Sequence, residues 1–121
     1  LSILLAEDND INQLLAVRFL EKAGHKVKVA LNGKDAVDLY KKENFEIILM
    51  DTHMPVIDGF KATEIIRELE STKEHATPLI AVTAHKGNND KNKALAFGFD
   101  GYITKPIDVD ELMNLIESFR S

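Results

Sequence analysis

Short apolar runs and longer stretches of helical periodicity alternate along the whole chain. Each apolar run has the length and composition of a buried strand, and each helical stretch repeats its apolar residues every three or four positions. Gly24 and Gly98 stand where helical stretches stop, and Asp108 with Glu111 resembles a capping box at a helix start. The pattern predicts strands at residues 3–6, 27–30, 47–50, 79–82 and 102–104, and helices at 11–23, 34–42, 60–69, near 94–97 and after 108.

The same periodicity indicates which side of each element packs against the rest of the protein. The second strand alternates polar and apolar residues, which favours an edge position, whereas residues 47–50 are apolar on both faces and favour a central strand. In the first two helices, the residues expected to share a packing face are Ile11, Leu15 and Phe19, and Ala36, Val37 and Tyr40.

Five strands alternating with five helices predict an α/β fold built on a single doubly wound, five-stranded parallel sheet with right-handed crossovers. The 121 residues, 45% of them hydrophobic, suffice for one domain over residues 1–121 and leave no room for a second. In such sheets, ligands bind beyond the carboxyl ends of the strands, where the winding reverses. Functional residues are therefore expected at the carboxyl ends of the strands.

Composition excludes several classes of partner. The net charge is −5 and no basic cluster occupies one face, so neither nucleic acid nor an anionic membrane is expected to bind. No apolar stretch reaches the roughly 18 residues that span a bilayer. The absence of cysteine excludes thiolate sites and favours a cytoplasmic location. Leu1 in place of Met suggests a piece of a longer protein, whose other parts could be anchored in a membrane.

Carboxylates directly follow two of the predicted strands. Glu7 and Asp8 close the first strand and Asp51 closes the third, so the three acids form one cluster if these strands are neighbours. Clustered carboxylates repel one another, and such a site calls for a divalent cation or a lysine. Lys105 follows the fifth strand, and Thr83 ends the fourth. The pattern therefore indicates an acidic cation site at the rim of the sheet.

Four segments of the chain contain these residues in order: Ala6-Glu7-Asp8-Asn9, Met50-Asp51-Thr52-His53-Met54-Pro55 with Asp58-Gly59, Val82-Thr83-Ala84, and Tyr102-Ile103-Thr104-Lys105-Pro106. In their order and spacing they resemble the receiver domains of two-component systems, and most of all the receivers of hybrid histidine kinases. The resemblance covers the whole chain. It implies a flavodoxin-like fold with strand order 2-1-3-4-5, which places the reversal of winding between the first and third strands.

The resemblance implies that Asp51 accepts a phosphoryl group from a phosphohistidine on a partner. A carboxylate nucleophile is chemically suited to this step, since phosphoryl transfer depends mainly on positioning and charge neutralisation. Oxygen ligands from Glu7, Asp8 and Asp51 suit Mg²⁺, or Mn²⁺ in its place. The resemblance adds the backbone carbonyl of His53 to this set of metal ligands.

The resemblance also gives roles to residues after the later strands. Lys105 pairs with the charge that develops on the phosphoryl group, and Thr83 donates its hydroxyl to a phosphoryl oxygen. Movement of Thr83 then lets Tyr102 rotate inward, which changes the surface formed by the fifth strand and the helices on either side of it. His53 and His85 would lie near the phosphoryl group and modulate dephosphorylation, although an exposed loop residue is the favoured interpretation of each taken alone. His25 and His75 are expected at the surface.

The expected partner is a histidine kinase or a histidine phosphotransfer domain, with no nucleic acid or membrane contact by this domain itself. The domain is expected to be a signalling phosphoacceptor and not an enzyme, although it assists its own phosphorylation and autodephosphorylation. A homodimer through the face around the fifth strand stays open, as does a stand-alone response regulator. A small phosphohydrolase fits poorly, because His53 occupies the position of its second carboxylate. A flavin-binding domain lacks its phosphate loop, and a binding module without chemistry is opposed by the completeness of the site.

Overall fold

The computed structural model describes residues 2–52, 57–70, 77–83, 95–104 and 108–119. Strands and helices alternate through these segments. The strands are β1 (Ser2–Ala6), β2 (Lys26–Ala30), β3 (Ile47–Asp51), β4 (Leu79–Thr83) and β5 (Gly101–Thr104). The helices are α1 (Asp10–Lys22), α2 (Gly33–Lys42), α3 (Gly59–Glu70) and α4 (Val109–Ser118). None of these helices has the length and apolar character needed to cross a membrane.

The five strands form one parallel sheet in the order β2-β1-β3-β4-β5, as expected. β2 lies at an edge and β3 at the centre, in agreement with their polarity patterns. The register pairs Ala6 with Met50, so the acids that follow β1 lie beside Asp51 at the end of β3. The reversal of winding therefore falls between β1 and β3, where the sequence placed the site.

Two hydrophobic cores pack on opposite faces of the sheet, because side chains alternate along each strand. One core joins the sheet to α2 and α3, and includes Leu4, Met50, Tyr40 and Ile66. The other joins the sheet to α1 and α4. Its fully buried members include Ile3, Leu20, Leu49, Ile103, Leu112 and Ile116. All residues of β3 and β4 are buried, which fixes the strand ends that carry the site.

Side-chain hydrogen bonds cap the first turns of three helices. Asn9, Asn32 and Asp108 each accept a hydrogen bond at the N-cap, from the backbone N–H of Asn12, Asp35 and Glu111 respectively. This geometry satisfies N–H groups that have no partner inside the helix. The interaction predicted between Asp108 and Glu111 is thus present as a cap.

Two packing predictions are wrong. The face of α1 that contains Ile11 and Leu15 is exposed, and the helix instead buries Ala16 and Leu20. His25, expected at the surface, is buried where the chain turns back from α1 into β2, and its backbone N–H donates to the carbonyl of Leu20.

The fifth predicted helix, near residues 94–97, falls partly outside the described residues. Leu95 and Ala96 are helical, and a turn at residues 97–98 follows. Gly98 has a φ of 105° and donates its N–H to the carbonyl of Leu95, as the predicted C-terminal cap requires. The described segments therefore contain helices α1 to α4 and this one helical end.

Candidate functional site

Glu7, Asp8 and Asp51 form one acidic cluster at the carboxyl end of the sheet. Each offers a carboxylate oxygen, and these atoms all lie within 4.8 Å of one another. Glu7 and Asp51 are each only 3% exposed, whereas Asp8 is exposed to solvent. The sequence prediction that the three acids meet is confirmed.

The backbone around Glu7 is fixed by hydrogen bonds to neighbouring elements. Its N–H donates to the carbonyl of Ala30 over 3.0 Å, and its own carbonyl accepts from the Gln13 side chain on α1. One carboxylate oxygen accepts from the Asn9 N–H over 3.2 Å. Since Asn9 also caps α1, the positive end of that helix dipole lies beside the acids and offsets part of their repulsion.

Close backbone packing holds Asp51 in place. The Thr52 N–H donates to the carbonyl of Val82 over 3.1 Å, and the Gly59 N–H donates to the carbonyl of Thr52 over 3.2 Å. A β-carbon at Gly59 would lie 2.1 Å from the Asp51 carbonyl oxygen, so only glycine allows this approach. The first residue of α3 thus rests directly against the end of β3.

The loop after β3 is also held from the side of α2. The Gly33 N–H donates to the carbonyl of Ile57 over 3.1 Å, and a β-carbon at Gly33 would lie 2.1 Å from that carbonyl oxygen. Gly33 was not singled out from the sequence. The Asn32-Gly33 pair is a common turn signal that could have drawn attention to it.

Thr83 ends β4 one residue beyond the register partner of Asp51, and it is buried. Its own partner on β5 is Thr104, the residue before Lys105. Tyr102 on β5 is half-buried and packs against the core beneath α2 and α3. The sheet therefore brings Thr83 and the end of β5 to the same rim as the acids.

Several predicted site residues lie outside the part of the chain that the structure describes. These are His53, His85 and Lys105, whose roles stay predictions. The described donors are all carboxylate oxygens, which hard cations such as Mg²⁺ prefer and thiophilic metals do not. The chemistry of this donor set fits a magnesium ion.

The fold and this acidic rim define a class of signalling domain. A family model for the response regulator receiver domain matches residues 3–117. The chain belongs to this family, and the resemblance drawn from its four sequence segments is confirmed.

Individual relatives agree with this assignment. Hybrid signal transduction histidine kinase I of Dictyostelium discoideum is 41% identical in an alignment of 121 positions. The alignment covers 96% of this chain and 7% of that protein. The curated relatives that the chain matches are much longer proteins, of which it spans between 4% and 15%.

Two solved structures are close in fold. The receiver domain of the Saccharomyces cerevisiae response regulator Ssk1, crystallised with the histidine phosphotransfer protein Ypd1, has a TM-score of 0.91 at 33% identity, covering 98% of this chain and 88% of that one. The receiver domain of a Pseudomonas aeruginosa sensor histidine kinase, with magnesium coordinated in its active-site cleft, has a TM-score of 0.88 at 34% identity, covering 98% and 95%.

Proposed function

We propose that this domain accepts a phosphoryl group on Asp51 in a two-component phosphorelay. The observation that carries the proposal is the buried Asp51 carboxylate, with the carboxylate oxygens of Glu7 and Asp8 within 4.8 Å of it at the rim of the sheet. An Asp51 oxygen attacks the phosphorus atom, and the P–N bond to the donor histidine breaks, leaving its electron pair on the imidazole nitrogen. The product is an acyl phosphate on Asp51.

Glu7, Asp8 and Asp51 hold Mg²⁺, or Mn²⁺ in its place, together with the backbone carbonyl of His53. A cation held by these residues would neutralise charge on the phosphoryl oxygens, which would otherwise face three carboxylates. The Mg²⁺ ion in the related Pseudomonas receiver supports this assignment.

Lys105 and Thr83 complete the site in this proposal. Lys105 neutralises charge on the transferred group, and the Thr83 hydroxyl donates to a phosphoryl oxygen. Pairing of Thr83 with Thr104 supports these roles, because it places Thr83 level with the residue before Lys105. Movement of Thr83 and inward rotation of Tyr102 form the switch, while His53 and His85 modulate dephosphorylation.

The partner is a histidine kinase or a histidine phosphotransfer domain. A donor histidine must approach Asp51 from the rim, where α1 begins. Ile11, Leu14 and Leu15 at this end of α1 are 70%, 53% and 46% exposed, an apolar surface suited to a protein partner. The complex of Ssk1 with Ypd1 supports such a partner.

The parent protein in this proposal is a cytoplasmic or membrane-anchored hybrid histidine kinase, with the receiver itself in the cytoplasm. The receiver assists its own phosphorylation and dephosphorylation but turns over no separate substrate. A stand-alone response regulator is the second candidate for the parent protein. Lack of cysteine supports the compartment, and the many hybrid kinases among the relatives support the parent.

Intact mass measured with Mg²⁺ and a small acyl phosphate tests the proposal. We expect one phosphoryl adduct that is lost in Asp51→Asn and retained in Asp38→Asn, a matched control on α2. Rapid repeated release of phosphate would favour a phosphohydrolase, and absence of any adduct would favour a binding module. Either result contradicts the proposed function.

A further inference from the structure

A polar network away from the acidic rim centres on Arg67 of α3. Its Nε and Nη2 atoms donate to the Gly98 carbonyl over 2.9 and 2.8 Å, and Nη2 also donates to an Asp100 carboxylate oxygen over 2.6 Å. Its Nη1 atom donates to the Thr77 carbonyl over 3.0 Å and to the Glu70 carboxylate. A guanidinium has five N–H donors, and five hydrogen bonds are present here. Arg67 is therefore fully engaged.

Both carboxylates of this network make further contacts. Glu70 accepts from the Thr77 N–H over 2.7 Å and from the Tyr40 hydroxyl on α2 over 2.8 Å. Asp100 accepts from the Leu79 N–H over 2.9 Å, while its own N–H donates to the Leu79 carbonyl over 2.7 Å. The network thus joins α2, α3, the start of β4 and the residues immediately before β5.

Gly98 shows how closely the chain passes over Arg67. With its φ of 105°, a β-carbon at this position would lie 3.0 Å from Cγ of Arg67 and 3.3 Å from Nε. The residues that lead into β5 therefore pack closely on the Arg67 side chain. Asp100, the last of these residues, is directly followed by Gly101, the first residue of β5.

The position of β5 depends on such an anchor because it is a short edge strand, paired only with β4. Its register puts Ile103 in the core beneath α1 and α4, and Tyr102 against the opposite core. A slip of one residue would exchange these faces and displace Thr104 from Thr83. The acidic cluster, in contrast, lies on β1 and β3.

We propose that Arg67 is a positioning residue for phosphoryl transfer. By fixing residues 98–100, it sets the register of β5 and so brings Thr104, the residue before Lys105, level with Thr83. Arg67 lies at the amino end of the sheet and the acids lie at the carboxyl end. The two ends are about 13 Å apart along the strand direction. The inference rests on the proposed function, because it concerns the residues that neutralise charge on the phosphoryl group transferred to Asp51. The residues that hold the cation are not involved.

The test separates cation binding from transfer. In Arg67→Lys, which keeps the charge but loses the planar fork of donors, we expect an unchanged Mg²⁺ dissociation constant by calorimetry. At saturating Mg²⁺, the rate of phosphorylation by a small acyl phosphate falls at least about tenfold, since small misplacements at a reacting centre are costly. Amide exchange accelerates at residues 101–104 and not in β1 or β3.

Tyr40→Phe is the matched control. It removes the hydrogen bond from the Tyr40 hydroxyl on α2 to Glu70 and lowers the stability of the fold. Every contact of Arg67 with residues 98–100 is kept, so we expect an unchanged rate of phosphoryl transfer. Asp100→Asn replaces Arg67→Lys if the latter does not fold, and the same slowing is expected. An unchanged rate in the Arg67 or Asp100 variant, or equal slowing in Tyr40→Phe, would overturn the proposal.

Failure of the proposed function has a different signature. If the wild-type chain forms no adduct, phosphoacceptor function is contradicted, and amide exchange alone then decides whether Arg67 positions β5. Faster exchange at residues 101–104 in Arg67→Lys would support that role, and unchanged exchange would refute it.

Discussion

Asp8→Asn provides a direct test of the electrostatics of the acidic rim. The Asp8 carboxylate has an oxygen within 4.8 Å of oxygens of both Glu7 and Asp51. Two unit charges at that distance repel by about 0.9 kcal/mol in water and about 3.5 kcal/mol at an effective dielectric constant of about 20. Because Asp8 is exposed, the value for water applies, and screening reduces it further.

Without divalent cations, Asp8→Asn is therefore expected to raise the free energy of unfolding by about 1–2 kcal/mol at low salt, from two such pairs. A chain of 121 residues gains about 0.25 kcal/mol/K of unfolding entropy, so the midpoint rises by about 4–8 °C. Thermal unfolding in a buffer treated with chelator measures the difference.

Magnesium should reduce or abolish the stability advantage of Asp8→Asn. A ligand present at about one hundred times its dissociation constant stabilises the folded state by about 2.7 kcal/mol, and a tenfold loss of affinity reduces this gain to about 1.4 kcal/mol. Asp8→Asn should therefore gain less from Mg²⁺ than the wild-type chain does. Its advantage in the absence of Mg²⁺ should shrink or disappear.

Glu64→Gln is the control, because it removes the same charge from an exposed position on α3 outside the cluster. We expect its stability to stay within about 0.5 kcal/mol of wild type with or without Mg²⁺. If Asp8→Asn is no more stable than wild type without Mg²⁺, or if both gain equally from it, the three acids do not act as one cation site.

Further predictions concern packing and pH. Gly59→Ala places a methyl group 2.1 Å from the Asp51 carbonyl oxygen and should cost about 3 kcal/mol or more by urea unfolding, whereas Gly24→Ala, with open space around it and a φ of 94°, should cost about 1–2 kcal/mol. Thr63→Val should raise the free energy of unfolding by about 1 kcal/mol, because the buried Thr63 hydroxyl has no hydrogen-bond partner in the described part of the chain; a loss of stability would contradict this. Burial raises the pKa of Glu70, but hydrogen bonds from Thr77, Arg67 and Tyr40 and the Arg67 charge outweigh it, so the net pKa is lowered. Its stabilisation is therefore complete above the unfolded pKa and is lost as pH falls through the folded pKa. Glu70→Gln should reduce the loss of unfolding free energy at acid pH. An unchanged loss would exclude Glu70 as its source.

The sequence predicted those parts of the fold that depend on local patterns. The two buried strands were located to within about one residue because residues 47–50 and 79–82 are apolar throughout, and each run is followed directly by a polar residue, Asp51 or Thr83. The meeting of Glu7, Asp8 and Asp51 followed from a general rule, since neighbouring parallel strands present their carboxyl ends at one rim.

Features that depend on distant partners were not predictable in this way. α1 has apolar residues on several sides, so periodicity alone could not show that Ala16 and Leu20 pack while Ile11 stays exposed. Arg67 contacts residues 31 and 33 positions away, and nothing in its local sequence identifies them. His25 is buried because of how the chain turns between α1 and β2, which its neighbours in sequence do not reveal.

The outer edge of β2 has a consequence for contacts between two copies of this domain. Lys26 and Lys28 are exposed along this strand, whose outer side has no neighbour in the sheet among the described residues. Charged side chains on an unpaired edge oppose the addition of a strand from another molecule. The sheets of neighbouring copies are therefore kept from joining edge to edge along β2.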